Sequence, residues 1–432
     1  MLKKRIGLYG LIMVAVGSCI GSGIFRTPAE VALLLPSQGL VIIVWLVGGF
    51  MALTGALTFA ELGANFPGSG GIYVFLRKAY GDLPAFLFGW AYLVIVTTGS
   101  LAALSLVFAD YFCNLFSLND SFKIPLAASA VILLSVINCL GVQISSGFAT
   151  VITSLKVMGI LAIITVGVCY GSEFHFSFQM EPDTHLHGLP AAFGLALIGA
   201  MFSYGGFQHA SFVGDEVKNA NRNLPLALII GTAIVCFCYV LINIAYMNLL
   251  PMKEFLQSTS VASDSILKIT DLGALLATIL IAGSVFGTIS IYTLSSPRIY
   301  YAMANDGLFF QSIARIHPRT HAPVNAILLQ AAIAVVILLF WKTFSDIISY
   351  VVFVDFMFLS LTAAGVFILR KKYLKTKPTT FANSLVPVLF IACSCFMLFY
   401  TLTERWQNAV AGLVLLAVGI AFYFVMKKKK PA

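Results

Sequence analysis

The chain has 432 residues, of which 60% are hydrophobic and 10% charged, and its formal net charge is +9. This composition excludes a soluble globular protein, because so few charged residues cannot cover the surface of a soluble domain of this length. Apolar runs that can cross about 30 Å of hydrocarbon as helices recur along the whole sequence, with no soluble-sized domain between them. The sequence therefore predicts an all-α integral membrane protein, with residues 1–432 as a single transmembrane domain.

Twelve apolar runs predict about twelve membrane-spanning helices, numbered here as spans 1 to 12. The first run has no small-residue cleavage site after it, so it is interpreted as a span and not as a signal peptide that is removed. The predicted spans are 8–34, 39–65, 83–112, 124–142, 148–169, 190–213, 224–250, 272–300, 324–341, 346–369, 384–402 and 408–426.

The basic residues are distributed unevenly between the two sides of this topology. With the N-terminus inside, most of the 26 lysines and arginines flank inner span ends, including residues 3–5, 370–372 and 427–430. The positive-inside rule then predicts that both termini are cytoplasmic and that the protein lies in the cytoplasmic membrane. The net charge is explained by this topology, so it indicates no nucleic-acid partner.

The eight cysteines indicate neither a metal site nor a disulfide. Cys236 and Cys238 are two residues apart on a predicted helix, as are Cys393 and Cys395, so each pair points to divergent faces. No spacing typical of zinc, haem or phosphate-loop binding occurs in the sequence. We therefore expect no cofactor and no metal.

Two spans contain clusters of glycine near the membrane centre. Span 1 has three glycines within residues 17–23, and span 6 has two within residues 202–208. Glycine weakens a helix by about 1 kcal/mol relative to alanine, so each cluster predicts a point where the helix unwinds. The alternative is that small residues only allow close packing of helices in lipid.

The two clusters begin successive blocks of five spans, which predict repeat one at about 8–169 and repeat two at about 190–369, with accessory helices at about 384–426. Because five is odd, the second block starts from the opposite side of the membrane, as in inverted-repeat transporters with discontinuous helices 1 and 6. Freed N–H groups at the positive end of a half-helix can hold a carboxylate, and freed carbonyls can hold an ammonium group. The two breaks therefore suit an amino acid.

Several motifs follow one another along the chain. Gly21-Ser22-Gly23-Ile24-Phe25 is followed by residues 60–63, 67–73, 215–219, 222–225, 304–308, 317–319 and 323–325. In this order they resemble the amino acid-polyamine-organocation superfamily over roughly residues 5–370. Within it, the chain looks most like bacterial relatives of the L-type amino-acid transporters. The resemblance implies a LeuT-like fold that transports by alternating access.

The resemblance also implies a substrate site at the two breaks. Ser22 and Gly23, beside Gly21, match positions that hold the substrate carboxylate. The backbone carbonyls of Cys19, Phe202 and Gly205 match those that face its amino group. The remaining predicted pocket residues are Ser203, Phe207, Gln208 and Tyr292. The family's usual tryptophan is absent at positions such as Phe202 or Phe207, so this pocket differs in shape.

Lys156 lies in the middle of span 5, where a cation is costly without a partner or a role. In the resembled family, a lysine in this motif reaches the place where sodium-coupled relatives bind a structural sodium. Lys156 is therefore predicted to tie span 1 to span 8, through carbonyls near Val16 or hydroxyls such as Ser290. This predicts transport without sodium. The alternative is a lysine that snorkels to the interface.

Other ionisable residues in the spans leave their roles open. Asp355 and His209 can each carry a proton, or each can be a satisfied polar group between helices. A proton therefore remains a candidate coupling ion.

Charged residues near the span ends also have alternative roles. Arg26 and Glu30 can form an ion pair on one helix face or contact substrate. Glu61 and Glu216, beside basic residues at inner span ends, indicate either gate salt bridges or ordinary interfacial charges.

Together these features predict a secondary transporter of neutral L-amino acids, working by exchange or by proton-coupled uptake. Gln208 and Ser203 can hydrogen-bond a substrate hydroxyl, so small hydroxylated side chains are candidates beside larger neutral ones. The alternative within the superfamily is a polyamine or charged amino-acid permease. A membrane enzyme would need clustered titratable residues at mid-depth, and a channel would need a repeated filter loop. Neither pattern occurs in the sequence.

Overall fold

The computed structural model describes residues 2–179, 188–340, 344–374 and 381–428. Ten helical segments in this part of the chain, some of them made of consecutive helices, are long and apolar enough to cross a membrane. Leu189–Tyr204 and Val324–Leu339 are apolar helices that are shorter. The described residues form no β-strand, only two isolated bridges. The protein is therefore an all-α, multi-pass membrane protein.

The helices are numbered α1 to α19 in chain order. The first ten are α1 Leu8–Cys19, α2 Gly23–Leu34, α3 Gln38–Asn65, α4 Ile72–Tyr80, α5 Asp82–Ala91, α6 Thr97–Leu115, α7 Lys123–Cys139, α8 Val142–Tyr170, α9 Leu189–Tyr204 and α10 His209–Phe212. The remaining nine are α11 Ala220–Leu249, α12 Met252–Gln257, α13 Val261–Leu267, α14 Asp271–Ser295, α15 Pro297–Asn305, α16 Val324–Phe340, α17 Phe344–Leu369, α18 Phe381–Glu404 and α19 Trp406–Lys428.

Each of the twelve predicted spans corresponds to one helix or to consecutive helices. Span 1 consists of α1 and α2, and span 6 consists of α9 and α10. Span 3 consists of α5 and α6 with a π-helical turn between them, at Tyr92–Val96. Residue 341, the predicted end of span 9, lies outside the described residues. The number of membrane crossings and the inverted repeat remain predictions.

Spans 1 and 6 lie inside the bundle. Helix α1 packs against α8 and α11, α2 packs against α9, and α11 packs along α3. Val14, Ile20 and Ile24 of span 1 have no exposed surface. In contrast, Val151 of α8 and Val418 of α19 are at least half exposed, as side chains that face lipid must be. The two broken spans are therefore enclosed by other helices and shielded from lipid.

One end of the bundle, which we call the N-terminal face, is covered by the first residues of the chain and by the loop after span 6. Ile6 forms a parallel bridge with Val217, and Ser69 forms an antiparallel bridge with Val213. The short helix α4 follows directly after this region. These contacts close the N-terminal face over the start of α1.

Candidate functional site

Span 1 is interrupted between α1 and α2, at residues 20–22. The backbone N–H groups of Ser22 and Gly23 have no backbone hydrogen-bond partner within the described chain. The buried Ser22 Oγ also has no partner there. Because the start of a helix carries unsatisfied N–H groups and partial positive charge, an anionic group would satisfy this end of α2. The break predicted from the glycine cluster is confirmed.

Span 6 is interrupted between Tyr204, where α9 ends, and His209, where α10 begins. Gly206 has a φ of +108°, which favours glycine, and a Cβ added there would lie 2.6 Å from the carbonyl oxygen of Ser18. The Ser18 hydroxyl donates a hydrogen bond to the Gly206 carbonyl at 2.8 Å. The second break therefore packs directly on the end of α1.

Tyr239 of α11 connects the two breaks from the side. Its hydroxyl oxygen lies 2.8 Å from the Cys19 carbonyl oxygen and 3.1 Å from the Ser203 carbonyl oxygen. The Cys19 carbonyl, predicted to face a substrate amino group, also accepts from the Gly21 N–H at 2.8 Å. A substrate ammonium group would have to share this carbonyl with those donors. Tyr239 was missed, because span 7 also contains the hydroxyls of Thr232 and Tyr246 and the sequence does not single out one of the three.

Three predicted pocket residues retain partial exposure while most of their neighbours are buried: Phe202, Gly205 and Tyr292. The Tyr292 ring lies 4.1 Å, centroid to centroid, from the ring of His209 at the start of α10. His209 Nδ1 lies 2.6 Å from the Ser295 Oγ, one turn further along α14. Span 8 therefore presents an aromatic side chain beside the second break.

Two other predicted pocket residues direct their side chains to neighbouring helices. Phe207 stacks on Phe59 of α3, with ring centroids 6.0 Å apart. The Ser203 Oγ lies 2.6 Å from the Thr27 Oγ1 on α2. A Cβ on Gly23 would lie only 2.8 Å from the Ser203 Cα, so glycine allows α2 to approach α9 this closely. A bulky substitution at Gly23 would therefore disturb packing as well as the substrate site.

Lys156 is 1% exposed and lies in the middle of α8. Its ammonium group donates to the carbonyls of Gly17 at 3.1 Å and Ile20 at 2.8 Å, and to the Thr288 hydroxyl at 2.6 Å. Lys156 thus ties the end of α1 to span 8, as predicted. A snorkelling lysine would instead extend its ammonium group to the interface.

The hydroxyl that contacts Lys156 is on Thr288, so the prediction of Ser290 for this contact was wrong. The buried Ser290 Oγ has no hydrogen-bond partner in the described structure. Residues two apart on a helix point to different faces, whereas residues four apart share one face. Ser284 and Thr288 share such a face, and both donate to the Ile20 carbonyl, at 3.2 and 2.8 Å. This spacing was a signal that could have identified Thr288.

Asp355 of α17 is 7% exposed and links three spans. Its carboxylate accepts from the Tyr92 hydroxyl at 2.6 Å and from the Gln208 amide at 3.2 Å. The Gln208 Oε1 in turn accepts from the Gly206 N–H at 3.2 Å. Tyr92 was missed because it begins the π-helical turn of span 3, which the sequence did not predict. Such turns occur frequently at functional sites.

Both glutamates predicted to form gate salt bridges are paired with arginines. Glu216 and Arg298 have fully buried side chains, joined at 2.9 and 3.0 Å. The Glu216 backbone carbonyl also accepts from the N–H groups of Arg5 and Ile6 at the N-terminal face. Glu61 pairs with Arg370 beyond the end of α17. These salt bridges are confirmed, and their role as a gate remains a prediction.

The family model described as amino acid permease matches residues 6–427. The chain belongs to the amino acid permease family. It is 32% identical to the "Large neutral amino acids transporter small subunit 2" of Homo sapiens, over 98% of this chain and 80% of that protein. It is 31% identical to the "Serine/threonine exchanger SteT" of Bacillus subtilis (strain 168), over 99% of this chain and 98% of that protein. It is 30% identical to the "b(0,+)-type amino acid transporter 1" of Homo sapiens, over 98% of this chain and 88% of that protein. The permease therefore belongs to the amino acid-polyamine-organocation superfamily, as the motifs indicated, and functions in amino-acid transport.

Proposed function

We propose that this permease carries neutral L-amino acids by alternating access, as exchange or as proton-coupled uptake, without sodium. The observation that carries the proposal is the meeting of the two breaks. The free N–H groups of Ser22 and Gly23 lie at the start of α2, and the second break packs on the end of α1. In this proposal, the α-carboxylate binds the N–H groups and the Ser22 hydroxyl, while carbonyls of span 6 receive the α-ammonium group.

Neutral substrates are favoured by two considerations. Relatives that align with nearly the whole chain are named for large neutral amino acids and for serine and threonine. Beside the breaks, Phe202 and Tyr292 offer aromatic surface to a side chain. The alternative is a permease for polyamines or charged amino acids, in which the buried Asp355 carboxylate would pair with a cationic group of the substrate.

We expect neutral amino acids to compete for uptake of a labelled neutral substrate by the purified permease in liposomes. The competition panel would contain the twenty amino acids, agmatine and putrescine, with empty liposomes as the control. Serine, threonine, alanine and cysteine are the first candidates, and removal of either the α-carboxyl or the α-amino group should abolish competition. Competition by arginine, glutamate or amines alone would refute the neutral assignment while leaving a transporter.

We also expect transport to be the same in sodium and in choline buffer. The Lys156 ammonium group bridges span 1 and span 8, as a bound sodium would, so no bound sodium is needed to join them. Uptake rates in the two buffers at equal ionic strength test this expectation. A strict requirement for sodium would contradict the proposed role of Lys156.

For localisation, we propose the cytoplasmic membrane with both termini in the cytoplasm. The clustering of lysine and arginine at one set of span ends supports this orientation. The N-terminal face, closed by Ile6 and the loop after span 6, would then be the cytoplasmic face. The proposed partners are the amino-acid substrate and the surrounding lipid, with a proton as a candidate coupling ion.

A further inference from the structure

The Asp355 carboxyl group is buried in the middle of α17, and its hydrogen-bond donors in the described structure are both neutral. The Tyr92 hydroxyl lies 2.6 Å from Oδ1, and the Gln208 amide nitrogen lies 3.2 Å from Oδ2. The shorter distance falls within the range for a hydroxyl donating to an ionised carboxylate, about 2.5–2.7 Å. A buried carboxylate without a cation is costly, and such residues in membrane spans commonly belong to proton or ion pathways. Resting on the proposed function, we propose that Asp355 binds and releases the proton that couples to amino-acid transport.

The hydrogen-bond donors around Asp355 suit its ionised form. The Gln208 amide nitrogen is within 3.2 Å of both the Asp355 carboxylate and the Tyr92 oxygen, so each of its two hydrogens has an acceptor. The single Tyr92 hydroxyl hydrogen points to Asp355. When a proton from the aqueous phase adds to one carboxylate oxygen, an O–H bond forms and that oxygen becomes a donor. The new hydrogen needs an acceptor and the protonated oxygen accepts more weakly, so the hydrogen bonds from Tyr92 and Gln208 rearrange. Release of the proton restores the original network.

Gln208 connects this proton to the substrate site. Its Oε1 accepts from the N–H of Gly206, in the break of span 6, and the Gly206 carbonyl accepts from Ser18 of α1. A change in the orientation of the Gln208 amide therefore alters the hydrogen bonding of the second break. Protonation on one side of the membrane and deprotonation on the other would bias the break towards different arrangements, as coupling requires.

Other titratable groups near α17 leave Asp355 as the central carboxyl. His209 and Tyr292 contact each other beside the second break. The Tyr80 hydroxyl, on α4, donates to the Leu361 carbonyl. Asp346 lies in the first turn of α17 itself. The charged residues of the helices packed on α17 lie towards the ends of those helices; they are Glu61, Arg77, Lys78, Asp110, Arg370, Lys371, Lys372, Glu404, Lys427 and Lys428.

The test measures proton flux and amino-acid flux in the same liposomes. Purified permease is reconstituted around a pH-sensitive dye, and labelled alanine or serine is added with and without an acidic exterior. The unmodified protein should acidify the interior when the amino acid is added, and an inward proton gradient should raise net uptake about tenfold. Asp355→Asn should lose both the acidification and the stimulation of uptake. Amino-acid exchange, measured in the same liposomes, is the reference for the amount of folded protein. His209→Gln should keep the response to the proton gradient.

A second variant keeps the proposal testable if Asp355→Asn does not fold. Tyr92→Phe removes a donor to the ionised carboxylate, so protonation becomes easier. The external pH at which net amino-acid uptake is half-maximally stimulated should then move upward by about one pH unit. Three results would overturn the proton role. They are an unshifted pH profile in Tyr92→Phe, proton flux in Asp355→Asn, and exchange without any proton flux in the unmodified protein. Absence of both uptake and exchange in the unmodified protein would instead overturn the proposed function.

Discussion

Replacing Glu216 by glutamine is expected to lower the free energy of unfolding by about 3–5 kcal/mol. The Glu216 and Arg298 side chains are both fully buried and share two hydrogen bonds. Glutamine would leave the Arg298 guanidinium group buried without a countercharge, and the cost of removing that charge from water would no longer be offset. Unfolding of the purified permease in detergent, followed by its apparent melting temperature, measures the loss.

The matched control is Glu254→Gln. Glu254 pairs with Lys268, and both side chains are about half exposed, so breaking this pair should cost only about 0.2–1 kcal/mol. Replacing Glu216 by glutamine and Arg298 by methionine together should recover part of the stability, because no unpaired buried charge then remains at this position. If Glu216→Gln is no more harmful than Glu254→Gln, the buried pair does not stabilise the N-terminal face.

The two helix breaks were predictable because their cause is local. Glycines 17, 21 and 23 and glycines 205 and 206 weaken the helix within a few residues of where it ends. The tie between Lys156 and span 1 was also predictable in kind, since a buried ammonium group requires acceptors and broken helices provide free carbonyls. The specific hydroxyl was not predicted, because the helical face of span 8 was not worked out and Ser290 was chosen over Thr288.

The Asp355 network could not be derived from sequence patterns. Its members lie in spans 3, 6 and 10, and Tyr92 and Asp355 are 263 residues apart. The π-helical turn at Tyr92–Val96 rotates the helix face. The turn contains no proline or glycine from which it could have been predicted. The short helices α4, α12 and α13 were also missed, because each is too short to register as a span.

Replacing Lys156 by methionine is expected to reduce transport about 100-fold in the folded protein. Methionine retains an apolar chain of similar length but donates no hydrogen bond to the Gly17 and Ile20 carbonyls or to Thr288. A hydrogen bond to a charged group contributes about 1.5–3 kcal/mol, and a loss of about 3 kcal/mol acting on the transport-competent state corresponds to about 100-fold. Uptake normalised to the amount of monodisperse protein after size exclusion measures this loss.

Two further variants separate the role of the ammonium group from general packing. Thr288→Ser keeps the hydroxyl and should transport nearly normally. Thr288→Val loses the hydroxyl and should lower transport. The loss should be smaller than in Lys156→Met, because the lysine still donates to both carbonyls. Lys268→Met, on an exposed lysine, controls for loss of a charge alone. Full transport by Lys156→Met in choline buffer would show that span 1 needs no cation at its break, and the explanation of sodium independence would fail with it.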